Sequence, residues 1–194
     1  TDGQVLTSTG SGVGWEDASA TGGVTFKAFG TSSIMVGDDA TGTISSANYN
    51  TGLGVDVFAA LTSGDNNVAV GYNAGAGITT GTLNTFIGGL AGDATTTASD
   101  NTGVGAASMG GNTTGTRNTA LGSDSLKVST EGNDNTAIGK GSLAANTTAS
   151  NNTAVGKNSL TANTTGASNT AVGLSSLAAN TTAAHNTAVG YQAA

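Results

Sequence analysis

One string recurs through this chain at a fixed interval, and that interval constrains the fold more than any other feature. Asn-Thr-Ala-Val-Gly, or a close variant, begins at Asn84, Asn101, Asn118, Asn135, Asn152, Asn169 and Asn186, each 17 residues after the last. Carried backwards, the frame meets Asn67-Val68-Ala69-Val70-Gly71, then Asn50-Thr51-Gly52-Leu53-Gly54, then a decayed copy at Ser33-Ile34-Met35-Val36-Gly37. Coils therefore begin at positions 33, 50, 67, 84, 101, 118, 135, 152, 169 and 186, with no insertion between them. A unit of this size cannot bury a core alone, but stacked copies bury one continuous core, each using its neighbours.

Two columns run through the frame without a miss. Glycine occupies Gly37, Gly54, Gly71, Gly88, Gly105, Gly122, Gly139, Gly156, Gly173 and Gly190. One place earlier stand Val36, Leu53, Val70, Ile87, Val104, Leu121, Ile138, Val155, Val172 and Val189. The Asn-Thr-Ala-Val segment alternates, is β-branched and stops at glycine. A second short segment, Ser142-Leu143-Ala144-Ala145 and its equivalents, leads into an Asn-Thr-Thr turn such as Asn163-Thr164-Thr165-Gly166. Neither reaches the length of a typical helix. The prediction is an all-β chain: a parallel β-solenoid, or β-roll, of ten coils, with two short strands and two turns in each. At one strand spacing of about 4.8 Å per coil, it forms a rod roughly 45–50 Å long.

The pleat assigns faces. Thr153 and Val155 lie two apart and share one side; Asn152 and Ala154 share the other. Placing the larger aliphatics inside makes Val70, Ile87, Val104, Leu121, Ile138, Val155, Val172 and Val189 the core column, with Gly71, Gly88, Gly105, Gly122, Gly139, Gly156, Gly173 and Gly190 beside it. Ala120, Ala137, Ala154, Ala171 and Ala188 then face outwards as the expected subunit interface, because so thin a coil encloses little volume. Met109, Leu126, Leu143, Leu160 and Leu177 form a further stripe, each after a serine, where earlier coils carry Phe58, Gly75 and Gly92. Asn152 and its equivalents suit a stacked amide ladder. Asn146, Asn163 and Asn180 match the glycosylation sequon, but their fixed place in the repeat makes them turn residues.

Residues 1–32 lie outside the frame and read as a connector. Val5-Leu6 and Val13-Gly14-Trp15 flank a Ser/Gly-rich turn in a hairpin-like pattern, Trp15 suits a local anchor, and Val24 to Phe29 suits a strand leading into the coils of 33–194. The first residues do not read as a signal peptide, and the chain reads as a piece or processed product of something longer.

Composition narrows the function classes. With no cysteine and one histidine, His185, the chain lacks the residues for a disulfide framework, a thiolate metal site or a His-dependent triad of its own. Five Lys and Arg do not make a nucleic-acid footprint, and no apolar run is long enough for membrane insertion as a helix. No cofactor or metal is expected: Gly52-Leu53-Gly54 and Gly103-Val104-Gly105 are repeat glycines that open no helix. Charge is uneven, with nine acids and one base, Lys27, in residues 1–100, against three acids and four bases in 101–194.

The repeat Asn152–Gly166 and the string Asn186-Thr187-Ala188-Val189-Gly190-Tyr191-Gln192-Ala193 resemble the repeats of bacteriophage tail fibres. They are similar, less closely, to the head β-roll of trimeric autotransporter adhesins. Gly3 to Trp15 also resembles a segment common in phage fibre proteins. The resemblance implies a parallel homotrimer with the alanine faces towards its axis, and often a self-cleaving C-terminal chaperone domain, of which nothing is seen before Ala194. The function expected is a structural shaft segment of a virion tail fibre that supports host attachment. Its partners would be itself, other fibre or virion proteins and a host-surface glycan. A bacterial surface adhesin is the alternative.

Two other function classes make their own demands on such a sequence. A glycan depolymerase needs paired carboxylates, and Asp38, Asp39, Asp56 and Asp65 are the candidates, with Asp39 and Asp56 one period apart. Solvated turn acids are the preferred reading, and no enzyme is expected. An ice-binding face needs a regular outward Thr column; Thr85, Thr102, Thr119, Thr136, Thr153, Thr170 and Thr187 are regular, but the pleat reading turns them inwards. Residues 1–100, whose coils are irregular, are the expected place for any partner contact, with Asp38, Asp39, Asp56, Asp65, Tyr49 and Tyr72 as the side chains available for it.

Overall fold

The computed structural model describes residues 6–8, 13–15, 25–29, 32–37 and 46–194. Its thirteen strands are β1 (Leu6–Ser8), β2 (Val13–Trp15), β3 (Thr25–Phe29), β4 (Ser33–Gly37), β5 (Thr51–Gly54), β6 (Val68–Val70), β7 (Thr85–Ile87), β8 (Thr102–Val104), β9 (Thr119–Leu121), β10 (Thr136–Ile138), β11 (Thr153–Val155), β12 (Thr170–Val172) and β13 (Thr187–Val189). Strands β4 to β13 are parallel and stack in chain order, and β3 caps the row antiparallel to β4. Strands β1 and β2 pair separately, Leu6 opposite Trp15. The described residues contain no helix. The register advances by one period per coil, as where Thr136, Ala137 and Ile138 face Thr153, Ala154 and Val155. The chain is a β-solenoid of about nine turns.

Each coil holds one strand, not two. The Ser-Leu segment is a run of turns, because the residue two before each leucine and the leucine itself take left-handed backbone: Gly141 (φ 68°) and Leu143 (φ 50°) in one coil, Asn158 (φ 58°) and Leu160 (φ 51°) in the next. Alternate left-handed residues cannot lie in an extended pleat. The segment still bonds coil to coil, Leu143 N–H donating to the Ser159 carbonyl (3.0 Å) and Ala145 N–H to that of Thr161 (3.1 Å). A leucine at positive φ costs on the order of 1 kcal/mol; burying it contributes about 1.5–3 kcal/mol, so the position holds.

The interior reverses the expected faces. Ala69, Ala120, Ala137, Ala154 and Ala171 are fully buried, and Ala188 nearly so, while Ile138 is 37% exposed and Val189 69%. Val70, Val104, Leu121, Val155 and Val172 are half-buried, and Ile87 is exposed. The pairing of columns follows the pleat, but its sense is opposite. The asparagines decide it. Asn135 Oδ1 accepts the Asn152 N–H (3.0 Å) and Nδ2 (3.3 Å), and Asn135 Nδ2 donates to Asn118 Oδ1 (3.1 Å) and to the Ala149 carbonyl (2.9 Å). The same pattern recurs from Asn50 to Asn186. A ladder that satisfies inward backbone groups must itself lie inside, and Ala, two residues on, goes inside with it.

The remaining interior is filled by Met109, Leu126, Leu143 and Leu160, all fully buried, and by Leu177 at the last full coil. In the less regular coils the volume moves between columns. Phe86 stands where others have Ala, and a Cβ on Gly92 would come within 2.5 Å of its ring, one on Gly103 within 2.9 Å. Glycine at the leucine position and in the next coil's alanine position thus makes room for one phenylalanine. Phe58 with Gly52, and Ile78 with Gly75, are similar exchanges. Column irregularity before residue 100 is core compensation, one large side chain traded for another at a different place in the coil.

The glycine column marks the closest approach of backbones. Gly139 has φ 122°, and a Cβ there would lie 2.7 Å from the carbonyl carbon of Gly156. Only glycine fits, coil after coil.

Candidate assembly interface

Three-residue strands β6 to β13 turn their middle residue inwards, so the first and third face out. The outward side of the row is therefore a ladder of Thr and aliphatic side chains in strict register. Its aliphatic rank includes Leu53 (50% exposed) and Ile87 (40%) as well as Ile138 and Val189. The Thr rank, expected inside, is also here: Thr85, Thr102, Thr119, Thr136, Thr153 and Thr170 are half-buried and Thr187 exposed. The faces named for Ala120, Ala137, Ala154, Ala171 and Ala188 on one side and for Val70 to Val189 on the other are exchanged, because amide satisfaction outweighs side-chain size.

Two corners flank this face. At one, the residue before each repeat asparagine is left-handed: Leu83, Asp100, Arg117, Asp134, Asn151, Ser168 and His185 have φ between 56° and 62°. At the other, the residue after each repeat glycine is exposed at Val55, Tyr72, Lys140, Lys157, Leu174 and Tyr191. Arg117 Nε and Nη2 donate to both carboxylate oxygens of Asp134, one coil on, at 2.7 and 2.9 Å. That bond raises the Arg117 pKa and lowers that of Asp134. Lys127 Nζ lies 2.8 Å from Asp124, whose pKa its hydrogen bond lowers. Desolvation raises that of Asp93.

Of the acids considered for catalysis, Asp56 and Asp65 lie among the described residues. Asp38 and Asp39 lie outside the described residues. Asp56 sits half-buried at a left-handed corner, and Asp65 accepts the Asn48 N–H at 2.6 Å. Among the described residues no group of three or more His, Cys, Asp or Glu could hold a metal, and no helix is long and apolar enough to cross a membrane. Asn146 and Asn163 are fully buried, Asn163 Nδ2 bonding Asn146 Oδ1 (3.1 Å) and the Gly166 carbonyl (2.9 Å), so these sequons belong to an inner ladder. Where that column passes from Leu61 and Ile78 to polar residues, Thr95 Oγ1 and Asn112 Oδ1 are buried without a protein partner. Tyr49 and Tyr72 are both 56% exposed. Side chains before residue 32, Trp15 included, lie outside the described set.

Comparison with protein-family models, curated proteins and solved structures found no match to this chain.

Proposed function

We propose that this chain is a shaft segment of a fibre, of the bacteriophage tail-fibre kind, built from three parallel copies and serving attachment to a host surface. The observation that carries this reading is the outward aliphatic rank, unbroken from Leu53 to Val189 and free of charge. A rank of this length left in water is a liability for a rod. Covered by copies of the same period, each aliphatic contributes on the order of 1 kcal/mol, and every coil meets an equivalent coil. The interface moves from the alanines, where the family resemblance places it, to the Thr/aliphatic side. Trimeric presentation raises the avidity of a distal binding tip for host glycan through effective concentration. A bacterial surface adhesin of the same architecture is the alternative; other fibre or virion proteins are partners at either end.

Sedimentation tests the reading. An elongated trimer is expected, and replacing Ile138 and Val155 together by Asp should give monomers that keep their β-sheet circular dichroism. A compact 18.4 kDa species for the unaltered chain would overturn it.

The outward Thr rank supports one further reading, because regular hydroxyls on a flat face order water. An ice-binding monomer would show thermal hysteresis, which a trimer with this face covered would not.

A further inference from the structure

The second inner ladder is one link short, and we propose that a single buried water molecule supplies it, held between Asn112 Oδ1, the Gly132 carbonyl and Ser129 Oγ. The column runs Thr95, Asn112, Ser129, Asn146, Asn163, Asn180, and all but Asn180 are fully buried. The site lies within one copy and does not depend on how copies assemble.

Two complete steps show what a link does. Asn163 Nδ2 donates to Asn146 Oδ1 of the coil before (3.1 Å) and to the Gly166 carbonyl of its own coil (2.9 Å). Asn180 Nδ2 does the same with Asn163 Oδ1 (2.8 Å) and the Ala183 carbonyl (3.0 Å). One amide nitrogen bridges two acceptors, one in each coil.

Asn112 and Gly132 present the same pair of acceptors. The Asn112 amide is set as that of Asn163 is: its Nδ2 donates to the Gly115 carbonyl (3.1 Å), and its Oδ1 lies 2.5 Å from where a Cβ on Gly115 would stand, against 2.6 Å for Asn163 Oδ1 and Gly166. In each case the next coil's carbonyl oxygen, of Gly132 or of Ala183, closes on that same point. The bridging residue between Asn112 and Gly132, however, is Ser129, whose shorter side chain has no amide nitrogen. Asn112 Oδ1 is therefore buried without a protein donor. Among the described residues the Gly132 carbonyl takes Asn118 Nδ2 alone (2.7 Å), whereas the Ala149 carbonyl, one coil on, takes both Asn135 Nδ2 (2.9 Å) and Asn146 Nδ2 (3.0 Å). Thr95 stands in the coil before, on the nitrogen side of Asn112 by the same precedent, and gives Oδ1 nothing.

A water at the place of the missing nitrogen meets every demand. Its hydrogens go to Asn112 Oδ1 and the Gly132 carbonyl, and a lone pair takes the Ser129 hydroxyl hydrogen. Ser129 Oγ meanwhile goes on accepting Asn146 Nδ2 (3.4 Å). About three bonds is the usual complement of a buried water. Leaving a buried oxygen unmatched generally costs more than ordering one water. The water carries the ladder unbroken from Asn112 to Asn180.

Crystal structures of the unaltered chain and of Ser129→Asn, at a resolution that places waters, test this. The first should show one ordered water at hydrogen-bond distance, about 2.5–3.2 Å, from both Asn112 Oδ1 and the Gly132 carbonyl. In the second, the new amide nitrogen should stand in its place and the water should be gone. Magnetic relaxation dispersion of water oxygen should count one long-lived water fewer in that variant. Amide exchange in this coil should slow by about tenfold in Ser129→Asn, as a direct link replaces the mediated one, and quicken by about tenfold or more in Ser129→Val, which puts carbon against Asn112 Oδ1. No density at that point in the unaltered chain, a water that persists in Ser129→Asn, or equal exchange in all three proteins would overturn the proposal.

Discussion

Replacing Asn135 by alanine isolates what the inner amide ladder contributes. The side chain makes four hydrogen bonds: two accepted from Asn152 and two donated, to Asn118 Oδ1 and the Ala149 carbonyl. The acceptors keep other donors, since Asn118 Oδ1 still takes the residue-135 N–H and the Ala149 carbonyl still takes Asn146 Nδ2. The Asn152 N–H keeps none among these bonds. Net loss of about 0.5–1.5 kcal/mol per bond, with the upper range for the orphaned donor, gives about 3–5 kcal/mol. Asn186→Ala, at the last coil, removes only the donation to Asn169 Oδ1 and should cost about 1 kcal/mol or less. Repeat arrays need not unfold as one unit, so native-state hydrogen exchange is the suitable assay. Protection of the Asn152 amide and its coil neighbours should fall by about two to three and a half orders of magnitude in the first variant, since each 1.4 kcal/mol is tenfold, and little in the second. Equal effects would refute the ladder as the reason for the inward alanines.

Phe86→Ala should cost about 3–5 kcal/mol, and adding Gly92→Leu should restore much of it, read as a coupling above about 1 kcal/mol in a denaturation cycle; additivity would mean the coil does not trade volume as described. Gly139→Ala forces a Cβ against Gly156 and should destabilise by on the order of 3 kcal/mol or more, measured as a fall in melting temperature. Ala154→Glu buries a charge and should unfold its coil, while Lys157→Glu leaves circular dichroism unchanged; equal outcomes would place alanine outside. Asp134 has a depressed folded pKa, so the stability it adds is present above its unfolded pKa and lost as pH falls through the folded one; Asp134→Asn should flatten that part of the pH–melting curve.

The period and the parallel register were legible because they depend on backbone stacking, which the glycine column declares. The faces were not, because size and polarity gave opposite answers. Val155 is larger than Ala154 and argues for the inside; Asn152 is polar and argues for the outside, unless it stacks. The decisive signal was the asparagine in every coil from Asn50 on, sharing a face with alanine: an amide column that satisfies its own neighbours belongs inside. The sequence suggests a second strand because Leu143 looks like an extended core residue, and nothing in a leucine announces positive φ. Core compensation around Phe86 was visible as Gly92 and Gly103, but only contact geometry ties them together.

The unbroken frame makes the length of the rod a counted quantity. From Asn118 onwards, removing or duplicating any 17 consecutive residues rejoins asparagine to asparagine and glycine to glycine, and changes the rod by one step of about 4.8 Å. In the proposed trimer the three chains would have to change together, and a mixture of lengths would leave unmatched coils at one end. Near-identical coils also offer recombination many equivalent crossing points. Such a gene can lengthen or shorten its product in whole coils, with no intermediate that loses the core.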